Sequence, residues 1–221
     1  FADKGIKTAA IYGAFIPNPM HVYRTAGVLA GLGLSYGGAT TEEDVVGLIF
    51  ADQGIDLSKI SGDIKIVSYL QGYGDTTTDE INAAIQAAPE AFISVGMATT
   101  FFTQQLNAAG IEFSDIDSFT KSNGEAITNG KLVYLAGKYS SSVGPAFALV
   151  MNAINGNVIR DAQGNAVSLS QNYQVATDSE TFDKFYKNDN GDNPIYSRDT
   201  LDQIIGDTVT FDTINEVVAS N

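Results

Sequence analysis

Five short apolar runs, separated by stretches with helical spacing, constrain the fold of this chain more than any other feature of its sequence. The runs are continuous rather than alternating in polarity, which is typical of strands buried on both faces. They are Lys7–Tyr12, Ile64–Tyr69, Ala91–Val95, Ile111–Phe119 and Lys131–Leu135. The helical stretches are His21–Leu34, Thr41–Gln53, Thr78–Ala88, Thr100–Ala109 and Val143–Asn155. This alternation predicts an α/β fold with a parallel, doubly wound sheet and helices on both of its faces.

The character of the sequence changes after Asn155. Gly156-Asn157 and Gly164-Asn165 are turn signals that predict a hairpin, and two short helices are expected further on, in 179–187 and 197–206. We therefore predict two domains, an α/β lobe over residues 1–157 and a C-terminal appendage over 158–221.

Charge and composition exclude several classes of function. The chain has 26 acidic and 12 basic residues, a formal net charge of −14. Such a surface repels phosphate backbones and anionic lipids, so we expect no nucleic-acid partner. No apolar run is long enough to span a bilayer, so no direct membrane insertion is expected.

The absence of cysteine excludes disulfides and thiolate chemistry, and is compatible with an exported protein.

Catalytic motifs are weak. The pattern Gly33–Gly37 fits Gly-x-Ser-x-Gly, but Ser35 follows a predicted helix instead of joining a strand to a helix. His21 precedes Ser35, which is opposite to the usual order for that motif, and we expect it to be a surface or loop residue. A glycine-rich helix end is the simpler interpretation of this segment. We expect no enzyme activity.

Metal-binding and cofactor-binding motifs are also weak. With one histidine and no cysteine, a transition-metal site is not expected. The segment Asn188–Asn193 resembles part of a calcium loop, but Asp199 stands where the closing glutamate belongs and Pro194 interrupts the spacing, which favours a solvated turn. No phosphate-binding loop is present, so we expect no cofactor.

The loops after the predicted strands combine aromatic side chains with hydrogen-bonding groups. Because the carboxyl ends of parallel strands meet at one edge of the sheet, these side chains are expected to gather there and to bind a small polar molecule. The residues predicted to contact this ligand are Phe15, Asn18, Arg24, Tyr73, Met97, Thr120 and Lys138.

The order of motifs resembles the second lobe of type I periplasmic solute-binding proteins, the ribose-binding-like group. "KGIKTAAIYG" and "YRTAGVLAGL" resemble the opening of that lobe, in which Arg24 and Gly27 fill an Arg-x-x-Gly pattern at a helix start. "PEAFISVGMATTFFTQQLNAAGI" resembles the next signature, and the segment from Ile116 to Asn157 resembles the remainder of that lobe. The resemblance covers residues 2–157.

The resemblance implies a Rossmann-like lobe and a chain that lacks most of the first lobe. It also exposes departures from the family pattern. Gly96-Met97 stand where the family has Asn-Asp, Thr120 replaces an aspartate after the fourth strand, and Lys138 replaces a glutamine after the fifth. We therefore expect no sugar-gripping carboxylate at these positions, and Arg24 and Lys138 would suit an acidic or carbonyl-rich ligand.

As a function, the resemblance implies the extracytoplasmic binding component of an ABC importer. This component would hold a small polar solute, such as a sugar, between two lobes without catalysis, and its partner would be the membrane permease. The full-length protein would be periplasmic or a cell-surface lipoprotein. The alternative is the ligand-sensing lobe of a transcriptional regulator or receptor.

Overall fold

The computed structural model describes residues 1–16, 18–72, 78–117, 119–191 and 194–220. They form an α/β fold whose main sheet has six strands in the order β4-β1-β5-β6-β7-β8. The pairs β1–β4, β1–β5 and β5–β6 are parallel. The predicted α/β class with a parallel sheet is thereby confirmed.

The strands lie close to the predicted apolar runs, with additional short ones. They are β1 (Thr8–Tyr12), β2 (Ser35–Tyr36), β3 (Ile60–Ser61), β4 (Lys65–Leu70), β5 (Ala91–Ser94), β6 (Glu112–Asp117), β7 (Leu132–Gly137) and β8 (Gln174–Ala176). β2 and β3 form a separate antiparallel pair.

The helices include all five that the sequence predicted before residue 156. They are α1 (Pro19–Gly31), α2 (Glu42–Asp52), α3 (Thr78–Gln86), α4 (Ala98–Ala109), α5 (Lys121–Thr128), α6 (Gly144–Ile154), α7 (Ser179–Asn190), α8 (Arg198–Asp202) and α9 (Phe211–Ala219). α5, which begins at Lys121, is absent from the predicted helices.

Alternate residues of β1 pack on opposite faces of the sheet, as the pleat of a strand requires. Ala9 and Ile11 belong to a core cluster with Val22 and Leu29 of α1. Tyr12 instead contacts Phe102 of α4 edge to face, with ring centroids 4.8 Å apart. Helices therefore cover both faces, which is the doubly wound arrangement.

The chain divides into two compact units. Unit 1 comprises residues 1–117 and 121–135, and it holds the parallel strands β1, β4, β5 and β6. Unit 2 comprises residues 118–120 and 136–221, and it includes the last two residues of β7 and the whole of β8. The domain division at residue 157 stays a prediction.

Unit 2 has its own small core. Ala148 of α6 packs with Ile204 and with Ile214 and Val218 of α9. Asn152 is fully buried, and its side chain accepts the Gly206 N–H at 2.8 Å and donates to the Ile204 carbonyl at 2.8 Å. The predicted hairpin is reduced to one antiparallel bridge, between Arg160 and Ala166.

Candidate functional site

Arg24 lies on α1, the helix after β1, and its guanidinium reaches the carboxyl ends of β5 and β6. Nη1 donates to the Val95 carbonyl at 3.0 Å and to Asp117 Oδ2 at 3.2 Å, and Nη2 donates to Asp117 Oδ1 at 2.5 Å. The planar fork of arginine matches a carboxylate in this two-bond geometry. The Arg24 side chain is 11% exposed and that of Asp117 is 33% exposed, so solvent reaches the carboxylate more than the guanidinium.

Asp117 is a carboxylate that the sequence analysis did not single out. The expectation of no carboxylate at the position of Thr120 stays a prediction. β6 ends at Asp117, two residues before the predicted end, so Asp117 stands at the carboxyl end of this strand. Asp117 also has a φ of 99°, which is uncommon for a residue with a side chain. Strain of this kind is concentrated at functional sites.

Apolar side chains are exposed in two loops of unit 1 that come after strands. Phe15 follows β1 and is 49% exposed, and Met97 follows β5 and is 38% exposed. The backbone of Phe15 is held by His21, whose Nδ1 lies 3.1 Å from the Phe15 nitrogen and 3.0 Å from its carbonyl oxygen. His21 is 5% exposed, so the expectation of a surface or loop histidine is wrong.

A buried carboxylate fixes the loop that carries Met97. Asp115 of β6 is 3% exposed, and it accepts the backbone N–H groups of Ala98 at 2.7 Å and Thr99 at 3.1 Å. The Asn123 side chain of α5 also donates to it, at 2.8 Å. Burial raises the pKa of Asp115, although these hydrogen bonds favour the charged form and oppose the shift. Met97, the N-cap residue of α4, makes no side-chain capping bond. The Asp115 carboxylate takes over this role from β6, since it accepts the first N–H groups of the helix.

Asn18 stabilises the start of α1. It is the N-cap residue, its side chain accepts the Met20 N–H at 3.0 Å, and Pro19 follows at the first helical position. Among the other predicted contacts, Phe15, Arg24 and Met97 belong to unit 1, whereas Thr120 and Lys138 belong to unit 2. Tyr73 lies outside the described residues.

Lys138 is exposed and follows β7. Its ammonium group lies 5.2 Å from the centroid of the Tyr173 ring, within the range of a cation–π interaction. Thr120 is also exposed and directly precedes α5.

The predicted solvated turn at Asn188–Asn193 begins inside a helix. Asn188, Asp189 and Asn190 are the last residues of α7, and Asp192 and Asn193 lie outside the described residues. The Asp189 carboxylate accepts the Ser140 N–H, and Asn190 Nδ2 donates to the Tyr186 carbonyl at 3.2 Å. Elsewhere in the described ranges, no three His, Cys, Asp or Glu side chains are grouped so that they could hold a metal ion.

No protein-family model matches this chain. No curated protein matches it either. Among solved structures, it is similar to an ABC transporter periplasmic solute-binding protein from Actinobacillus succinogenes 130z with bound D-allose, with 16% identity and a TM-score of 0.46. The similarity covers 82% of this chain, which spans 55% of the other. Within the described residues, no helix has the length and apolar character needed to cross a membrane.

Proposed function

We propose that this chain is a ligand-binding lobe of an extracytoplasmic solute-binding protein that serves an ABC importer. It binds a small polar molecule, such as a sugar, and performs no catalysis. The partner is the membrane permease, and the ligand acts by shifting the balance between open and closed arrangements of two lobes. The motif order over residues 2–157, with Arg24 and Gly27 in its opening segment, supports this assignment.

The observation that carries the proposal is the Arg24–Asp117 pair at the carboxyl edge of the sheet. Arg24 holds the Asp117 carboxylate in place, and this carboxylate is 33% exposed, so its remaining lone pairs can accept hydrogen bonds from the hydroxyl groups of a sugar. Phe15 and Met97 add exposed apolar surface in the same unit, which suits the C–H faces of a sugar ring. Asp115 supports the site indirectly by fixing the Met97 loop. Thr120 and Tyr73 remain proposed contacts of this ligand.

The test compares two carboxylates at opposite ends of β6. Asp117 pairs with Arg24 at the carboxyl end, and Glu112 pairs with Lys4 at the amino end. Calorimetric titration with aldohexoses, aldopentoses and polyols first identifies a ligand. Asp117→Asn is then expected to weaken binding about ten- to a hundredfold, because a charge-assisted hydrogen bond is lost. Glu112→Gln is expected to leave the affinity unchanged.

Two outcomes contradict the proposal. One is a folded protein that binds no compound of the panel. The other is an equal loss of affinity in both variants, since a general effect of charge would then replace a local contact.

A further inference from the structure

Unit 2 contains a cavity of about 340 Å³, and neither Arg24 nor Asp117 is among the residues that line it. Its volume is within the range of sites for small molecules. The residues that define its chemistry are Lys138, Tyr139, Ser142, Gln171, Tyr173 and Tyr196. All of them belong to unit 2.

Three tyrosines give the cavity aromatic walls. Tyr139 and Tyr196 are 6% and 7% exposed, whereas Tyr173 is 38% exposed. Tyr196 is held in place by close packing against the start of α6, where a Cβ on Gly144 would come within 2.6 Å of the Tyr196 Cβ. Tyr139 is held by the ring of Phe185, with centroids 6.0 Å apart. Aromatic side chains that are fixed in this way form flat surfaces for a ring-shaped ligand.

The electrostatics of the cavity favour a negative charge on the ligand. Lys138 is the one charged side chain among the lining residues that the structure describes. Tyrosine hydroxyls keep their protons at neutral pH and add no negative charge, and burial raises the pKa of Tyr139 and of Tyr196 further. The nearby Asp189 carboxylate already accepts the Ser140 N–H. Lys138 thus gives the cavity a positive charge, although the chain as a whole has a net charge of −14.

The polar groups at the rim are also fixed. Gln171 Nε2 donates to the Ser142 carbonyl at 2.8 Å, which ties two lining residues together. Lys138 lies over the Tyr173 ring, so its ammonium group is positioned beside an aromatic face. A single lysine matches a monoanion, whereas a phosphate dianion is normally met by several cations or N–H groups.

We propose that the cavity of unit 2 binds a small ring-shaped solute with one carboxylate, with Lys138 pairing with the carboxylate and Tyr173 covering the ring. The solute class is an acidic monosaccharide or a similar cyclic monocarboxylate. The proposal concerns unit 2 alone and does not depend on the Arg24–Asp117 pair.

The experiment is calorimetric titration of the whole chain with D-glucuronate and D-glucose, which share a ring and differ in the carboxylate. We expect D-glucuronate to bind at least about tenfold more tightly. Lys138→Gln should abolish this preference, and Lys184→Gln, which removes an exposed lysine of α7 outside the cavity, should retain it. Tyr173→Leu should weaken binding of D-glucuronate, whereas Tyr173→Phe, which keeps the ring, should not.

The proposal is overturned if the two sugars bind equally, if D-glucuronate does not bind, or if the preference survives in Lys138→Gln. Asp117→Asn separates this inference from the proposed function. The preference for D-glucuronate should persist in that variant, and its loss there would place recognition of the carboxylate outside unit 2.

Discussion

At the scale of single residues, Asp115 combines two opposing influences on one carboxylate. Burial favours its protonated form, and several hydrogen bonds, among them those from the Thr99 and Asn123 side chains, favour its charged form. Burial prevails, and the pKa of Asp115 lies above its usual value of 3.8. The folded chain therefore holds this proton to higher pH than the unfolded chain does. The stability that comes from this linkage is fully present below about 3.8 and is lost as the pH rises through the folded pKa.

We predict that Asp115→Asn lowers the free energy of unfolding by about 2 kcal/mol, because an amide has one acceptor oxygen and turns its NH₂ group toward N–H donors. The difference in unfolding free energy between the wild type and Asp115→Asn should be larger at pH 4 than at pH 7. Urea unfolding followed by circular dichroism across this range measures it.

Asp161 provides the control of opposite sign. Hydrogen bonds from the Asn165 backbone lower its pKa, so its contribution is present above 3.8 and is lost as the pH falls through the folded pKa. The difference in unfolding free energy between the wild type and Asp161→Asn should therefore become smaller as the pH falls. If the difference for Asp115→Asn also became smaller, burial would not be the larger cause of the pKa shift of Asp115.

At the scale of elements, α6 has a buried side and an exposed apolar side. Ala148 is fully buried against Ile204 and Ile214, whereas Phe147, Val150 and Ile154 are 50%, 57% and 70% exposed. Two isoleucines of unit 2, Ile154 and Ile214, thus have very different surroundings, although each lies on a helix.

We predict that Ile214→Ala in α9 costs about 2–4 kcal/mol of unfolding free energy, because it leaves a cavity at a fully buried site. Ile154→Ala should change the same quantity by less than about 0.5 kcal/mol, because its side chain already meets solvent. Urea unfolding of both variants tests the pair. Equal costs would mean that the outer side of α6 is covered in solution.

The sequence predicts those elements whose own residues favour them. β1, β4 and β5 lie within one residue of the predicted apolar runs, since a buried strand needs little besides continuous apolar side chains. α2 begins after Thr41, whose side chain accepts the Asp44 N–H, as a capping residue should.

Elements that depend on distant contacts were missed. α5 includes Asn123 and Gly124, which are poor helix formers. It is stabilised by Asn123, whose side chain donates to Asp115 and to Thr99 Oγ1. A local pattern contains no sign of such bonds.

The predicted end of β6, Phe119, was wrong by two residues, and Asp117 was therefore not recognised as the last residue of the strand. Phe119 looks like the last apolar residue of the strand, but it packs in unit 2 against Phe185, with ring centroids 5.3 Å apart. Asp117 is left at the edge of the sheet, where its carboxylate meets Arg24. Arg24 was predicted from its position after the first strand, whereas Asp117 could be found only once the end of the strand was known.

At the scale of the whole molecule, the balance of charges is the dominant electrostatic property. A net charge of −14 makes the folded chain repel itself, and unfolding relieves this repulsion by separating the charges. Ion pairs offset only a small part of this repulsion. Within the described ranges, four of the five pairs have a cation that is at least 40% exposed, and such pairs contribute little.

We therefore predict that sodium chloride stabilises the chain at pH 7, because screening at a Debye length of about 8 Å weakens the repulsion more than it weakens the exposed ion pairs. The urea midpoint should rise between about 10 mM and about 150 mM salt. Near pH 4.2, the isoelectric point expected from the sequence, the net repulsion vanishes and the same salt step should have little effect. A midpoint that falls with salt at pH 7 would show that attractive pairs outweigh the excess of negative charge, and the paired carboxylates, Asp117 among them, would then contribute more to stability than their exposure suggests.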